Sequence, residues 1–485
     1  MVSSPTAGAA TAWHKTILPN EICHHASPAS VVQTRSIVMR VLIISPHFPP
    51  TNAADMQRVR LITPYLKENG IEAEILAVEP GQVTQPQDPW LEEGLPAEVP
   101  IHRVKALSPK WGCIPGFGSL SWRAYHALRR KGSQLLRNSN FDLVYFSNTQ
   151  ASIHKLGPEW NSRYGVPFIL DYQDPWVNDY YKEHPELSPP GGRLKYAVAD
   201  RINRFLEPRV LRQCSGITSV STAYPEQLDK RYPWLDVIQE HPHSVTEGCK
   251  ALHQFPSIVL PFPGDSIDLE RTKAEKVRQH CFDPNGGETN WVYVGVCPPQ
   301  MHPALKGLFS ALELAGSRYP DQLRKLRLHF IGTSYAAPGM GQSSIPALAK
   351  EFGLAENVIE SPDRIPYSAS LRCLLDADAL IVLGSDDPGY TASKIYPYLL
   401  AGKPLVTIFH EQSSINTLIQ NVGGANAFSF TSDTPTSTIA KTIADNLFSD
   451  SLSIAKVPLD LEAFIPHTAR NQANKLAHFF RIVLH

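Results

Sequence analysis

Apolar residues in the first half of the chain alternate between short continuous runs and helical spacing. Residues 41–44 form a β-branched and aliphatic run, typical of a parallel strand buried on both faces, and the proline-rich residues 46–50 end it. Residues 54–69 place apolar side chains three and four positions apart and stop at Gly70, which predicts a helix. A second strand is predicted over 73–78. This order of strand, helix and strand indicates a parallel α/β unit.

The same alternation continues through the first half and begins again after a break. Further elements of the first half are predicted as strands 141–146, 166–170 and 216–220 and a long helix 193–213. Residues 232–290 cluster prolines and glycines around one short apolar run, 258–260, and predict a connection between two units. The second half is predicted to contain strands 291–296, 326–331, 358–360, 379–383 and 405–409 and helices 306–317, 345–352, 368–375 and 393–401. A closing helix is predicted over 468–483.

Together these elements predict an α/β fold of two doubly wound, Rossmann-like parallel-sheet domains that face each other across a cleft. The expected boundaries are 39–260 for the first domain, joined by a C-terminal helix within 466–485, and 285–465 for the second. Residues 1–38 show no such pattern and are expected to be a disordered extension. Because open parallel sheets bind ligands at the carboxyl ends of their strands, the cleft is the candidate site.

Composition narrows the classes of protein. The 485 residues carry 45 Lys and Arg against 46 Asp and Glu, a net charge of −1, so no overall basic field favours nucleic acid. Seven cysteines, an odd number without a Cys-x-x-Cys pair, fit neither a disulfide framework nor a zinc site. No run reaches the roughly 20 apolar residues of a membrane helix, and the first 38 residues do not resemble a secretion signal. A cytoplasmic protein is expected.

Several common chemistries lack their motifs in this sequence. No Gly-x-Gly-x-x-Gly follows the first strand, and no Gly-x-x-x-x-Gly-Lys-Ser/Thr occurs, so the usual dinucleotide and nucleoside triphosphate cradles are missing. Gly-x-Ser-x-Gly, His-Glu-x-x-His and EF-hand patterns are also missing. A dehydrogenase, a P-loop ATPase and the simplest hydrolases are therefore disfavoured.

Two segments resemble a known family. Residues 379–406, which include Ser393, Lys394 and the Gly-Lys-Pro of 402–404, are similar to the donor-binding strand, loop and helix of the GT-B-fold glycosyltransferases of the retaining, glycogen-synthase-like group. Residues 45–52, Ser-Pro-His-Phe-Pro-Pro-Thr-Asn, are similar to the first βα loop of these enzymes. Weaker similarities, in the family's order, lie at 169–176, 217–221 and 261–265. The resemblance spans residues 39–485.

The resemblance implies an enzyme that uses nucleotide-activated sugars. The first domain would bind the acceptor, the second would bind the donor, and the last helix would cross back to the first. The expected reaction transfers a sugar from a nucleotide diphosphate donor to a glycan, a lipid-linked or a small acceptor, with retention. The nucleotide sugar is a substrate, and neither a cofactor nor a metal is expected, because cations and helix N-termini can stabilise the leaving diphosphate. The alternatives are a non-catalytic nucleotide- or glycan-binding protein of this fold and a nucleotide-sugar epimerase.

The expected catalytic residues are Lys394, Asp171 and Asp174. Lys394 opens a predicted helix, where its ammonium and the backbone N–H groups can converge on a diphosphate; an ordinary solvated lysine is the alternative. Asp171 and Asp174 follow a predicted strand at the cleft edge, where a carboxylate can bind acceptor hydroxyls or act as a base. Asp174 precedes proline, so shaping a turn is its alternative role.

Other residues are expected around these three. The expected donor-binding residues are Gly295, Lys306, Arg364, Ser385, Asp387, Thr391, Ser393 and Lys394. The expected acceptor-side residues are His47, Asn52, Arg58 and Trp176. For each type a simpler role stays open: a turn for the glycine, a surface charge for the cations, a helix cap for Thr391 and Ser393, and packing under a loop for Trp176.

The sequence also departs from the family. When this sequence is aligned with the family on the Gly-Lys-Pro of 402–404, Gly389 and Pro397 stand at the two glutamate positions of the family's Glu-x7-Glu motif. Both carboxylates are therefore missing. Val296 stands where the family often has an arginine after the strand-end glycine, here Gly295. In the first βα loop, residues 52–54, Asn-Ala-Ala, replace the family's pair of glycines. Asp386 and Asp387 are the nearby carboxylates that can substitute for the missing glutamates.

One stretch raises the question of a membrane surface. Residues 105–131 interleave basic and aromatic or aliphatic side chains, a pattern compatible with peripheral docking on anionic lipid at the inner face of a membrane. A solvated basic helix is the alternative. Docking would favour a lipid-linked acceptor.

Overall fold

The computed structural model describes residues 38–485 apart from 114–117, 184, 186–188, 190, 191, 240–254, 335, 337 and 338. Residues 1–37 of the predicted N-terminal extension lie outside the described residues. The described chain contains two entirely parallel sheets, one of eight strands and one of six. We call the residues packed around the eight-stranded sheet the first lobe and those around the six-stranded sheet the second lobe.

The first lobe follows from the apolar runs of the first half. Its strands are β1 (Met39–Ile44), β2 (Ile71–Val78), β3 (Ile101–Val104), β4 (Leu143–Ser147), β5 (Phe168–Tyr172), β6 (Gly216–Ser219), β7 (Val237–Gln239) and β8 (Phe255–Val259). Their order in the sheet is β3-β2-β1-β4-β5-β6-β8-β7. Its helices are α1 (Gln57–Leu66), α2 (Trp90–Glu93), α3 (Leu120–Asn138), α4 (Leu156–Tyr164), α5 (Tyr180–Glu183), α6 (Arg193–Leu211) and α7 (Ala223–Arg231). Strand β4 is buried on both faces, as a parallel strand between helical layers must be.

The second lobe repeats the alternation. After α8 (Ile267–Ala274), its strands are β9 (Thr289–Val294), β10 (Leu326–Ile331), β11 (Val358–Ser361), β12 (Ala379–Leu383), β13 (Leu405–His410) and β14 (Asn426–Phe430). They lie in the order β11-β10-β9-β12-β13-β14. Its helices are α9 (His302–Gly316), α10 (Pro320–Lys325), α11 (Ile345–Lys350), α12 (Tyr367–Asp376), α13 (Ile395–Ala401), α14 (Ser414–Val422), α15 (Thr436–Leu447) and α16 (Leu461–Phe464). The chain ends in α17 (Ala469–Leu484).

The predicted and observed elements differ mainly at the sheet edges and at one helix start. The sequence pattern does not predict β3 and β14, because both are edge strands with partly exposed side chains and no continuous apolar run. The run at 258–260, which the sequence places in a connection, belongs largely to β8 and pairs with β6. Helix α13 begins at Ile395 rather than at Ser393, because a turn from Ala392 to Ile395 precedes it.

The closing helix α17 packs on the first lobe. Leu476, Phe479 and Phe480 are fully buried in the same core cluster as β1 and α1, and the ring of Phe480 meets the ring of Tyr145 edge-on at 5.2 Å. Arg470 of the helix forms an ion pair with Glu68 at 2.7 Å. The chain therefore crosses from the second lobe back to the first before it ends.

The two crossings between the lobes lie side by side. Gly264 donates its N–H to the carbonyl of His467 at 2.8 Å, and Ala469 donates to the carbonyl of Gly264 at 2.9 Å. Nearby, the guanidinium of Arg60 on α1 donates to the carboxylate of Asp268 on α8 at 2.5 and 3.1 Å, with both side chains buried. These contacts hold the lobes together at one end of the cleft.

The basic and aromatic stretch from 105 to 131 divides between core and surface. Arg123 is buried and donates to the carbonyls of Gln82 and Leu107, and Leu120 is buried as well. Trp111 and Trp122 are exposed. Ile114 and Phe117 lie outside the described residues. Among the helices that the structure describes, none combines the length and the apolar character that crossing a membrane requires.

Candidate functional site

A cavity of about 1020 Å³ lies between the two lobes. Residues that follow β1, β4, β5 and β6 form one wall, and residues that follow β9, β10, β11 and β12 form the other. Both walls are therefore built from the carboxyl ends of parallel strands, where loops rather than the sheet itself carry the polar side chains. The expected residues on its surface are Asn52, Asp174, Gly295, Arg364, Asp387, Thr391, Ser393 and Lys394.

Lys394 is a cation on the second-lobe wall. Its ammonium donates to the phenol oxygen of Tyr293 at 2.7 Å and lies 4.3 Å from the centre of that ring. Tyr293 is fully buried at the end of β9, and its own hydroxyl donates to the carbonyl of Val296. Burial lowers the pKa of Lys394 to about 8, because few polar groups replace the water around the ammonium. The structure thus holds a partly desolvated cation at the cavity surface.

Gly295 explains how the ammonium reaches this position. Its φ of +127° is a backbone conformation that residues with a side chain rarely adopt. A Cβ atom at this position would lie 2.6 Å from Nζ of Lys394. Glycine is therefore required here both by the turn after β9 and by the close approach of the lysine.

The remaining donor-side residues divide into two groups. Arg364, Asp387, Thr391 and Ser393 line the cavity, and neither Thr391 nor Ser393 caps α13, whose first turn has no side-chain cap. Ser385 is buried, accepts a hydrogen bond from the N–H of Asp387 and donates to Asp386, so it shapes the loop after β12.

Lys306 lies in the second turn of α9, outside the residues that line the cavity. It is close enough to His302 to contribute, after burial, to the lowered pKa of that imidazole.

Asp174 is the carboxylate on the opposite wall. It is exposed to the cavity but lies deep between the lobes, and this desolvation, together with the charge of Asp55, raises its pKa to about 6. Burial raises the pKa of Tyr224, and the charges of Asp174 and Asp387 raise it further. Two carboxylates from different lobes therefore lie within electrostatic range of one phenol in the same cavity.

Asp171 and Arg58 are in the core rather than on the wall. The two side chains form an ion pair at 2.8 Å with no exposed surface, and Arg58 also donates to the carbonyls of Leu260 and Pro261. Asp171 additionally accepts hydrogen bonds from Ser147, Gln173 and Thr218. Arg58 therefore lies neither on a solvated helix face nor at a position from which it could reach across the cleft. It is buried in the first lobe, where the carboxylate of Asp171 compensates its charge.

The other acceptor-side residues also lie mostly behind the wall. His47 is buried, and its Nδ1 lies 2.9 Å from both carboxylate oxygens of Asp55, which does line the cavity. Burial alone would raise the pKa of Asp55, but His47 and Thr149 together outweigh it and lower the pKa. Trp176 is packed under its loop, donates to Asn203 and does not line the cavity.

Sequence reasoning missed several residues of the site, among them Tyr293, Tyr224 and Asp55. Tyr293 is the last residue but one of β9, a strand without any motif, and Tyr224 is the second residue of α7, a helix without any motif. Asp55 gave the one usable signal, an acidic residue at the start of the helix after the first loop. Gly389 and Pro397, at the family's two glutamate positions, both line the cavity, so the donor-side wall lacks those carboxylates.

The comparisons with known proteins concern the fold. No protein-family model matches the chain, and no curated protein sequence matches it either. Solved structures do match along most of both chains. The α,α-trehalose 6-phosphate synthase of Burkholderia multivorans is 10% identical, with a TM-score of 0.55 over 92% of this chain and 99% of that one. A UDP-forming α,α-trehalose-phosphate synthase of Burkholderia xenovorans in complex with glucose-6-phosphate is 10% identical, with a TM-score of 0.54 over 91% of this chain and 100% of that one. A glycosyltransferase of Rickettsia africae is 11% identical, with a TM-score of 0.51 over 92% of this chain and 98% of that one.

These likenesses identify the architecture. Two doubly wound parallel-sheet lobes facing a cleft form the GT-B fold, so the predicted fold class is confirmed. At about a tenth identity the likeness extends to the fold alone, and the chemistry has to be argued from the site.

Proposed function

We propose that the protein is a glycosyltransferase that moves a sugar from a nucleotide diphosphate donor to a carbohydrate acceptor, with retention and without a metal or cofactor. The observation that carries this proposal is Lys394, a partly desolvated ammonium held against Gly295 at the carboxyl end of β9 inside the cavity between the lobes. A charge in such a place lowers the stability of the fold and is explained by an anionic ligand. That proteins of this fold include UDP-forming synthases agrees with a diphosphate as this anion.

In the proposed reaction, the second-lobe wall binds the donor. The ammonium of Lys394 contacts the diphosphate, and Arg364 adds a second cation on the same wall. As the bond between the anomeric carbon and the diphosphate oxygen breaks, the negative charge that develops on the leaving group meets a preorganised cation in a site from which closure excludes water. Asp387, on the loop after β12, binds hydroxyls of the transferred sugar in place of the missing glutamates.

The first-lobe wall positions the reacting hydroxyl of the acceptor. The carboxylate of Asp174 accepts a hydrogen bond from the attacking hydroxyl and fixes its direction. The acceptor oxygen then bonds to the anomeric carbon from the face that the diphosphate leaves, and its proton passes to the departing diphosphate oxygen. Asp171, Arg58 and His47 act behind the wall: the first two hold β5 and the segment that follows β8, and His47 positions Asp55.

A donor-binding experiment tests this function. The purified protein is incubated with UDP-, GDP- and ADP-sugars, and the thermal shift, the released nucleotide and the donor itself are measured with and without carbohydrate acceptors. We expect one donor to raise the melting temperature and to release its nucleoside diphosphate when an acceptor is present. Binding without release would favour a non-catalytic protein, and conversion of the donor sugar to an isomer would favour an epimerase.

The matched variants are Lys394→Met and Lys441→Met. Lys441 is an exposed lysine of α15 that lines neither this cavity nor the other one described below. Lys394→Met should abolish the donor-induced shift. It should also raise the melting temperature of the free protein, because burial destabilises the protonated amine that Lys394 carries at neutral pH, and methionine carries no charge. Lys441→Met should change neither. A donor-induced shift that survives in Lys394→Met would remove this lysine from the site.

A further inference from the structure

A second cavity opens between the lobes beside the first. Its volume is about 860 Å³, within the range of about 300–1,000 Å³ typical of ligand pockets. It is formed by residues after β6 and on α7 of the first lobe, and by residues after β12, β13 and β14 of the second. It therefore lies on the β13–β14 side of the cleft, and Pro261 and His467 of the two crossing segments line it as well.

The two cavities meet at a common set of residues, which we call the neck. Tyr180, Val220 and Gln227 of the first lobe and Asp387, Gly389 and Thr391 of the second line both cavities. A hydrogen bond crosses between the lobes here, from the hydroxyl of Tyr180 to a carboxylate oxygen of Asp386 at 3.2 Å. A ligand in the second cavity would consequently meet a ligand in the first at the neck.

The chemistry of the second cavity differs from that of the first. Within the part of the chain that the structure describes, no lysine or arginine lines it, whereas Lys230, Arg231, Arg364 and Lys394 line the first cavity. An anion is therefore favoured in the first cavity only.

The wall of the second cavity includes Glu226, Asp386, Asp387 and His467 and is otherwise rich in neutral hydrogen-bonding groups. Hydroxyls of Thr222, Thr417 and Ser432 and amides of Gln227, Gln412 and Asn421 all line it. Hydroxyl and amide groups can both donate and accept, which suits a ligand that presents many hydroxyls. The ring of Tyr396 and the side chain of Leu418 add apolar surface for the carbon-bound faces of such a ligand.

We propose that the second cavity binds a neutral glycan and that this glycan is the acceptor, whose attacking hydroxyl reaches the donor sugar in the first cavity through the neck. The acceptor role rests on the proposed function; the glycan site itself does not. The diphosphate lies at Lys394 in the first cavity, the transferred sugar lies beside Asp387, and the body of the acceptor occupies the second cavity.

The experiment uses two exposed residues of α14 that line only the second cavity. Thr417 and Asn421 are one helical turn apart, and the double variant Thr417→Trp/Asn421→Trp fills the cavity from a solvent-exposed helix face, which the fold tolerates. Gln420→Trp is the matched control, because Gln420 is exposed on the same helix and lines neither cavity. The probes are an array of neutral oligosaccharides and matched phosphorylated and sulfated oligosaccharides.

We expect the wild-type protein and Gln420→Trp to bind neutral oligosaccharides, and the double variant to bind them about tenfold or more weakly with an unchanged nucleotide-sugar thermal shift. No binding of neutral glycans, binding that the double variant keeps, or preference for the anionic glycans would each overturn the proposal. If the wild-type protein binds glycans but no nucleotide sugar, the acceptor role falls with the proposed function and the glycan site stands.

Discussion

Two ionisable groups in the first cavity have pKa values displaced toward neutrality from opposite directions. Desolvation lowers the pKa of Lys394 to about 8, and the same physical cause raises the pKa of Asp174 to about 6. Desolvation always disfavours the charged form, so it shifts an amine down and a carboxyl up. Between these two values both groups are charged, with the cation on the second-lobe wall and the carboxylate on the first-lobe wall.

This pair predicts a bell-shaped dependence of kcat/KM on pH. The acid limb lies near pH 6, where Asp174 must lose its proton to accept a hydrogen bond from the acceptor, and the alkaline limb lies near pH 8, where Lys394 must keep its proton to bind the diphosphate. Asp174→Asn should remove the acid limb together with most of the activity. Lys394→Arg should move the alkaline limb upward, because a guanidinium stays charged above pH 12.

The measurement is kcat/KM from pH 5 to 9.5 at constant ionic strength for the wild type and both variants. The outcome that contradicts the assignment is an alkaline limb that stays near pH 8 in Lys394→Arg.

At the scale of secondary structure, the site depends on how strands end. Strand β9 stops at Val294, and the next residue, Gly295, turns the chain at a positive φ so that Lys394, arriving from the loop after β12, can approach the backbone. On the other lobe, β5 ends at Tyr172, and Asp174 follows just past the buried Asp171. The buried and the accessible carboxylate are thus separated only by the point at which the strand leaves the sheet.

Gly295→Ala tests this strand end. The substitution strains the backbone by about 1–3 kcal/mol and displaces the ammonium of Lys394, so both stability and donor affinity should fall. Gly353→Ala is the control: Gly353 also has a positive φ, of +70°, but no atom lies near the position of its Cβ. Gly353→Ala should lower stability without changing donor affinity. Urea denaturation and donor titration separate the two effects, and equal donor affinities in both variants would contradict the role of Gly295.

At the scale of the whole molecule, the last helix, α17, contributes to the stability of the first lobe. Helix α17 contributes Leu476, Phe479 and Phe480 to the core around β1 and α1, although the chain reaches it only after the second lobe is complete. Backbone hydrogen bonds join the two crossing segments at Gly264 and His467. Deletion of the helix would expose the core of the first lobe rather than that of the second.

Phe480→Ala is the corresponding stability test. Phe480 is fully buried against Tyr145, so its truncation should lower the free energy of unfolding by about 3–5 kcal/mol. His478→Ala, an exposed position on the same helix, should have little effect. In urea unfolding followed by circular dichroism, the first-lobe transition should shift. If the shift appeared only in a separate second-lobe transition, the assignment of α17 to the first core would fail.

The sequence predicted buried elements more accurately than exposed ones. Strands β10 and β12 match their predicted limits. Strand β12 is a continuous apolar run, as is typical of interior parallel strands, and β10 is mostly apolar, with Arg327 and His329 between its apolar residues. Edge strands β3 and β14 and the start of α13 were missed or displaced, because exposed side chains and local turns leave no periodic signal. For the site, the start of a helix predicted Lys394, and proximity to a strand end predicted Gly295 and Asp174. All three line the cavity, but these signals did not distinguish them from Asp171 or Arg58.

The sequence by itself determined the alternation of strands and helices, and hence two parallel α/β units with a cleft at the carboxyl ends of their strands, because these features follow from local periodicity. Tertiary structure alone decided which polar residues reach that cleft. Tyr293 and Lys394 are 101 positions apart, and Arg58 finds its carbonyl partner Leu260 202 positions away. Whether a charge is solvated, paired in the core or held against a cavity depends on such distant neighbours, which no local pattern encodes.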